Sequence, residues 1–488
     1  MMMNQSREVS LFELIGSDSK GLGDIKINDI VLDSRQVNPG AAFFALKGSK
    51  DHGLDFKDEA LSRGAVVIIY EQDSNYKDII GPAVGIQDLR SKLGSYANIF
   101  FSKNKNLNLV GVTGTNGKST VAYISALARV YGGNSSAYIG TIGKGVPPEI
   151  YQESSLTTPD CFTLHKQIRD LDAEDVIMEV SSHSLAQNRI DGLDFNIAAF
   201  TNLSHDHIDY HKTLEEYKEV KSDFFKTPTL QKAIIFVDDK FSKKIINKIS
   251  KNVEIITTSL KKDADITGKI LRCDLDGIVL EVKDSKISSK IFSPLLGDFN
   301  AENLIVSLGI LKALGINLDE ASSLLSQCSN ITGRMHTFGG EEGKPFVVVD
   351  YAHTPAALER VLKFLSNIKK SKLWCIFGCG GSRDSSKRSI MGNIAAKLSD
   401  YIILTDDNPR NEDPEKIISD ICLGIKDYPN LLIERDRANA ISGAIKIANH
   451  EDIILVAGKG HENQQFFDKE IINSSDLSIV KNALGDLL

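Results

Sequence analysis

The stretch "GVTGTNGKST" (residues 111–120) places glycines, a lysine and hydroxyls in the order that a polyphosphate needs. Backbone N–H groups of a glycine-rich turn at a helix start bind phosphate through exposed donors and the positive end of the helix dipole. Gly114, Thr115, Asn116, Gly117 and Thr120 would form the cradle, Lys118 would reach the terminal phosphates, and Ser119 would ligate magnesium. The stretch departs from G-x-x-x-x-G-K-[ST], because Val112 stands where the first glycine belongs. By itself such a loop serves a kinase, an ATP-driven motor, a GTPase or a ligase.

Three further groups could join that chemistry. Glu179 closes the apolar run of "DVIMEVSSHS", where a strand-end carboxylate holds magnesium or pairs with a nearby lysine; the metal is favoured, because open α/β sheets place ligands there. "SHDHIDYH" gathers His205, His207 and His211 with two aspartates, which reads either as a zinc site or as a polar loop whose histidines cap helices. "TLEEYKEVKSDFF" is helical, with Tyr217 and Lys221 one turn apart on one face; by spacing alone Lys221 is a solvated lysine.

Elements must hold these groups in place. "LVGVTG" reads as a buried strand entering the loop, and "KSTVAYISALARVYG" as a helix closed by Gly132, which is the strand–loop–helix context a phosphate loop requires. Upstream, the runs "AAFFAL" and "AVVIIY" and a turn at Asn38, Pro39 and Gly40 form a smaller α/β domain that ends in the polar stretch "FSKNKNLN". Downstream, "PFVVVDYAHTP", "LWCIFGCGGSRD", "YIILTDDNPR" and "DIILVAGKGHE" are four apolar runs, each breaking into polar residues, with helical stretches between them. That pattern implies a parallel sheet covered on both faces, whose four polar tails meet in one crevice beyond the carboxyl ends of the strands. The expected fold is α/β in three domains: 1–104, small and amino-terminal; 105–332, a central phosphate-loop nucleotide domain with a parallel-rich sheet; and 333–488, Rossmann-like and doubly wound.

Composition narrows the classes. The 488 residues are 42% apolar and 25% charged, which suits folded enzyme domains rather than disordered tracts. A formal net charge of −8 excludes a global basic surface for nucleic acid, so anionic substrates must meet local Arg and Lys. "MMMNQSREVSLFELIG" lacks a basic stretch followed by an apolar core, and no segment approaches the ~18 apolar residues that cross a bilayer, so a cytoplasmic chain is expected. Six scattered cysteines never pair as C-x-x-C and read as reduced and mostly structural, with Cys379 of "FGCGGSRD", placed in a loop, the one exception to watch.

Taken in order, "GTNGKST", "MEVSSHSLAQNRI", "TNLSHDHIDYH", "YKEVKSDFF", "GDFNAEN", "GRM", "VVDYAHTP", "GCGGSRDSSKR", "TDDNPR" and "AGKGHE" resemble the motifs of the Mur ligases of peptidoglycan synthesis, over nearly the whole chain. The resemblance implies that ATP phosphorylates a substrate carboxylate and that an incoming amine displaces phosphate from the acyl phosphate. It implies magnesium held by Ser119, Glu179, His207 and Lys221, the last as an N6-carboxylysine; Lys118, Glu179, His207 and Lys221 would form the catalytic set. Asn300 and Asn303 would lie near the adenine, Asp350 near the ribose, and Arg334 and His353 beside ATP. Leu32, Ser34 and the loop from Gly48 to Gly53 would hold the UDP portion, and Thr157, Thr158, Ser181, Gln187 and Arg189 the muramoyl-dipeptide. No nucleic acid, no membrane and a monomer are expected.

The amino acid is read from "TDDNPR". Arg410 offers a planar, permanently charged fork suited to a carboxylate. meso-Diaminopimelate carries a carboxylate at its far end and L-lysine does not, so Arg410 would reward the first and stay unpaired with the second. The resemblance agrees, since D-N-P-R accompanies diaminopimelate-adding members, whose substrate is UDP-MurNAc-L-Ala-D-Glu. Arg383, Asp407, Asn408, Pro409, Gly458 and Glu462 would complete that site, Glu462 receiving the distal ammonium. The plainer role for Arg410 is a surface salt bridge to Glu412 or Asp413. Two rivals remain: a folylpolyglutamate synthetase, which would lack the amino-terminal module and "DNPR", and a nucleotide-binding regulator without turnover.

Overall fold

A computed structural model describes residues 8–48, 51–72, 79, 81–101, 107–152, 156–204, 208–329, 331–341 and 343–485. By packing, the chain forms two compact units: Met1–Gly111 with Asn134–Asn196 and Thr227–Leu230, and Val112–Gly133 with Ile197–Lys226 and Gln231–Leu488.

In the first unit, strands Asp29–Val31, Ala41–Ala45, Val67–Glu71 and Ala83–Ile86 pair in parallel in chain order. Their side chains alternate between two cores. Ile30, Ala42, Phe44, Val67 and Ile69 enter one, packed on the helix Leu89–Phe101; Val31, Ala41, Phe43, Ala45, Ile68 and Tyr70 enter the other. Strands Ser136–Gly140 and Asp175–Glu179 also lie parallel, and Asp175–Glu179 is buried throughout, which delivers Glu179 to the end of an apolar strand.

In the second unit, strands Ile197–Phe200, Lys232–Phe236, Glu254–Ser259 and Ile266–Asp274 run parallel. Two antiparallel strands, Gly277–Lys283 and Ser288–Ser293, extend them as a meander. The strand Asn108–Thr113 carries the chain from the first unit into the phosphate loop. The helix that follows spans Lys118–Tyr131 with Gly132 as its carboxyl cap, as the sequence predicts.

The carboxyl-terminal part of this unit holds a six-stranded sheet. Strands Phe346–Asp350, Ile453–Ala457, Leu373–Phe377, Tyr401–Leu404 and Leu431–Ile433 are neighbours in that order and all parallel. Val348, Cys375, Phe377, Ile402, Leu404 and Leu455 face one core, while Val347, Val349, Trp374, Ile376, Ile403, Ile454 and Val456 face another, so helices cover both faces. The four strands expected from the sequence are the four central ones. An antiparallel edge strand, His336–Gly339, and a hairpin of Gln464–Phe466 with Ile471–Asn473 are additions. Among the described residues no helix is long and apolar enough to cross a membrane.

Candidate active site

The phosphate loop is held by the segment that follows the strand Ile197–Phe200. Thr115 N–H donates to the Asn202 carbonyl at 2.7 Å, Asn116 N–H to Asn202 Oδ1 at 3.0 Å, and Thr201 Oγ1 to the Asn116 carbonyl at 2.7 Å. A Cβ on Gly114 would stand 2.0 Å from Thr201 Oγ1, so only glycine fits there. Gly117 caps the helix at φ 85° with no side-chain hydrogen bond to the first turn, which leaves helix N–H groups aimed outward for an anion. Lys118 Nζ folds back onto the carbonyls of Gly114 (3.0 Å) and Thr115 (2.9 Å).

Lys221 corrects the reading from spacing. It is 1% exposed, and its amine donates to the Gly114 carbonyl at 2.7 Å and to Thr113 Oγ1 at 3.4 Å, above the Tyr217 ring. The helix Leu214–Asp223 turns the Tyr217 and Lys221 face inward, and the Tyr217 hydroxyl lies 2.9 Å from Thr115 Oγ1. His207 and His205 lie outside the described residues. His211 is buried with its ring against Tyr210 and Tyr217, and no group of three metal-ligating side chains occurs among the described residues.

The nucleotide candidates gather on the same unit. Asn303 Nδ2 donates to Asn300 Oδ1 at 2.8 Å, and Asn303 Oδ1 sits where a Cβ on Gly117 would be, 2.2 Å away. Arg334 donates to Ser119 Oγ at 3.0 Å and stacks its guanidinium 4.3 Å over Tyr351. Asp350 accepts the N–H groups of Met335 and Ala352, each at 2.8 Å; burial pushes its carboxyl up, against the pull of Arg334. His353 packs on Tyr351, with Nδ1 2.8 Å from the Tyr351 carbonyl.

In the first unit, Glu179 has no lysine partner among the described residues. It is 1% exposed and accepts from the Tyr138 hydroxyl (2.6 Å), Thr141 N–H (2.8 Å) and Thr141 Oγ1 (3.2 Å). Thr157 Oγ1 lies 3.2 Å from Thr141 Oγ1, and Thr158 Oγ1 donates to the Glu179 carbonyl and lies 3.4 Å from Ser181 Oγ. Arg189 donates to the Thr158 carbonyl at 2.8 Å and grips Gln187 Oε1 at 2.6 and 3.0 Å. Thr157, Thr158, Ser181, Gln187 and Arg189 therefore form one polar patch around Glu179. In the small amino-terminal sheet, Leu32 is partly buried and Ser34 donates to Glu59 at 2.7 Å; Ser49 and Lys50 of the Gly48–Gly53 loop lie outside the described residues.

The carboxyl-terminal tails meet as expected. Gly458 N–H donates to the Asp350 carbonyl, Gly381 N–H to the Asn408 carbonyl at 2.9 Å, and Asn408 Nδ2 to Glu462 Oε2 at 2.8 Å. The Tyr351 hydroxyl donates to Glu462 Oε1 at 3.4 Å. Burial, reinforced by the charge of Asp407, pushes the Glu462 carboxyl up. A Cβ on Gly458 would meet Asp407 Oδ2 at 2.5 Å. Arg410 is half-buried and donates to the carbonyls of Gly381 (3.0 Å) and Asn408 (3.4 Å). Neither Glu412 nor Asp413 pairs with it: Glu412 is taken by Arg388, and Asp413 caps the helix Pro414–Cys422. Burial and then the nearby charge of Arg383 make Arg410 less basic than usual. Cys379 lies in a loop, as expected, after the strand Leu373–Phe377; it is buried there beside Met391, and burial pushes its thiol up to about 12.

Several positioning residues escaped the sequence reading. Thr201, Asn202, Tyr138, Thr141 and Tyr351 hold the named groups; Tyr138 lies within the strand Ser136–Gly140 and Thr141 directly follows its end, the one usable signal. Comparisons with known proteins show what the chain is similar to over nearly its whole length. Sequence profiles described as Mur ligase family, catalytic domain (residues 26–131), Mur ligase middle domain (112–311) and Mur ligase, glutamate ligase domain (333–460) fit the chain. A UDP-N-acetylmuramoyl-L-alanyl-D-glutamate--2,6-diaminopimelate ligase of Xylella fastidiosa is 42% identical over 450 residues, covering 91% of this chain and 90% of its own. A solved structure of an enzyme of the same name shows 33% identity and a TM-score of 0.69, covering 98% and 99%. The MurF ligase of Thermotoga maritima, solved with ADP, shares the fold at 18% identity, with a TM-score of 0.65 and coverage of 94% and 98%.

Proposed function

We propose, since this chain belongs to the Mur ligase family, that it is an ATP-dependent ligase joining meso-2,6-diaminopimelate to UDP-MurNAc-L-Ala-D-Glu in peptidoglycan precursor synthesis. An ionised carboxylate does not accept an amine, so ATP first converts it to an acyl phosphate, which the amine attacks with loss of phosphate. The observation that carries the choice of amino acid is the crevice itself. Arg410 has no carboxylate partner among the described residues, and Glu462 presents an acidic group across Asn408. The pair suits a substrate whose far end bears both a carboxylate and an ammonium.

In this reading Lys118 exchanges its two carbonyl bonds for phosphate oxygens, which are stronger, charge-assisted partners. Arg334 holds the Ser119 hydroxyl, Asn300 and Asn303 flank the loop on the adenine side, Asp350 serves the ribose, and His353 lies beside the nucleotide. Arg189, with Thr157, Thr158, Ser181 and Gln187, receives the anionic dipeptide, while Leu32 and Ser34 face the UDP portion. Ser119 and Glu179 offer the hard oxygen donors that magnesium prefers. Lys221 joins them only if carbamylated, which turns a buried amine donor into a carboxylate; His207 is assigned to the same ion. Magnesium, when bound, neutralises phosphate charge. The domain limits 1–104, 105–332 and 333–488 and a cytoplasmic monomer complete the reading.

Phosphate release measured with each substrate omitted in turn tests the reaction. Release should require ATP, UDP-MurNAc-L-Ala-D-Glu and an amino acid together. Release without the amino acid, or without the muramoyl-dipeptide, would contradict a ligase.

A further inference from the structure

Two loops supply the cationic side of the amino-acid site: "GCGGSRD" with Arg383 and "DNPRNE" with Arg410. Bringing two guanidiniums to one crevice sets like charges against each other: burial first, and then the charge of Arg383, lower the basicity of Arg410. Something must hold the loops together. Arg388, the second residue of the helix Lys387–Leu398, is 0% exposed, and its fork meets both oxygens of Glu412 at 2.7 and 2.8 Å. The same guanidinium reaches Asp420 at 2.9 Å. Glu412 in turn accepts Ser382 N–H at 3.0 Å, so one carboxylate ties Arg388 to the first loop as well as to its own.

The contact between the loops leaves no slack. A Cβ on Gly381 would stand 1.9 Å from the Pro409 carbonyl. Ser382 and Arg410 both sit at φ 54°, a left-handed conformation that non-glycine residues rarely adopt and that persists only when the surroundings enforce it.

We propose that Arg388 and Glu412, which are not among the substrate contacts assigned above, are positioning residues that set amino-acid specificity: their ion pair locks the Arg383 loop to the Arg410 loop and fixes the spacing at which the two guanidiniums meet a substrate carboxylate. The proposal rests on the diaminopimelate reading of the same crevice. A bidentate ion pair with its guanidinium fully buried is directional, whereas an apolar pair of similar volume would keep the loops packed without fixing their register.

The test uses the full-length enzyme carrying Glu412→Gln, which keeps the shape and leaves Arg388 paired with Asp420, and Arg388→Lys, which keeps the charge but loses the fork. The wild type is assayed first; if it shows no diaminopimelate-dependent phosphate release, the functional reading fails before this one is reached. Glu412→Gln should raise KM for diaminopimelate by about tenfold to a hundredfold, the usual effect of a misplacement near 1 Å. KM for ATP and for the UDP precursor should hold steady, and the preference for diaminopimelate over lysine should fall by a similar factor. Arg388→Lys should lie between the two enzymes; should it fail to fold, Glu412→Gln alone decides. A variant that melts earlier yet keeps both the diaminopimelate KM and the preference would overturn the proposal, as would equal shifts in all three KM values.

Discussion

Asp476→Asn should destabilise the carboxyl-terminal sheet far more than an ordinary salt-bridge loss. Arg437 and Asp476 are each 0% exposed at their side chains, joined by two bonds of 2.7 Å, and they tie the first turn of the helix Arg437–Ile447 to that of Asp476–Leu484. Arg437 also donates to the Ala457 carbonyl at 2.9 Å, next to Gly458, so the pair supports the turn that carries Glu462. An asparagine leaves the guanidinium buried and charged without its counterion, a loss of roughly 3–5 kcal/mol. With a urea m-value of about 2 kcal/mol/M, the unfolding midpoint should drop by about 2 M. The chain has one tryptophan, Trp374, stacked on Tyr401 at 4.1 Å within this sheet, so its fluorescence reports this transition. Glu359→Gln, which breaks the exposed pair with Lys363, is the control and should shift the midpoint by less than about 0.5 M, as expected for a surface pair near 0–1 kcal/mol. An Asp476→Asn midpoint within the control's range would refute the reasoning.

Other outcomes follow from the same geometry. Gly140→Ala places a Cβ 2.2 Å from the Tyr138 hydroxyl and 2.3 Å from Glu179 Oε1, so it should abolish phosphate release while leaving far-UV circular dichroism intact; normal turnover would show that the Glu179 position is not needed. Lys221→Ala should be inactive and bicarbonate should not restore it; full activity in that variant would remove Lys221 from the catalytic set. Glu462 must be ionised to take the distal ammonium, and its carboxyl is pushed above the ordinary 4.5. The kcat/KM for diaminopimelate should therefore fall, as pH drops, at a higher pH than an ordinary glutamate would give; Glu462→Gln should be weak at every pH and lose this acid limb, and an unchanged limb would assign it to another group.

Much of this was legible because local and global signals agree. The phosphate loop announced itself by Gly114, Gly117 and Lys118 between an apolar strand and a helix, and Gly132 marked where that helix ends. The carboxyl-terminal strands were legible because near-continuous apolar runs suit a sheet buried on both faces. Lys221 was not legible, because its helix is polar overall and burial depends on where the loop after Thr113 happens to pass. Cys379 sits in a glycine-rich loop that the helix Lys387–Leu398 covers, a tertiary fact no local window contains. Nothing in the local sequence marks Arg388, since its partner Glu412 lies 24 residues away.

Phosphate release with UDP-MurNAc-L-Ala-D-Glu and ATP, comparing meso-diaminopimelate with L-lysine in the wild type and in Arg410→Ala, tests the central claim most directly. The expected result is a strong preference for diaminopimelate that collapses in the variant, by about a hundredfold for a lost bidentate charged contact worth roughly 3 kcal/mol. A preference for lysine, or a diaminopimelate preference that survives Arg410→Ala, would contradict it.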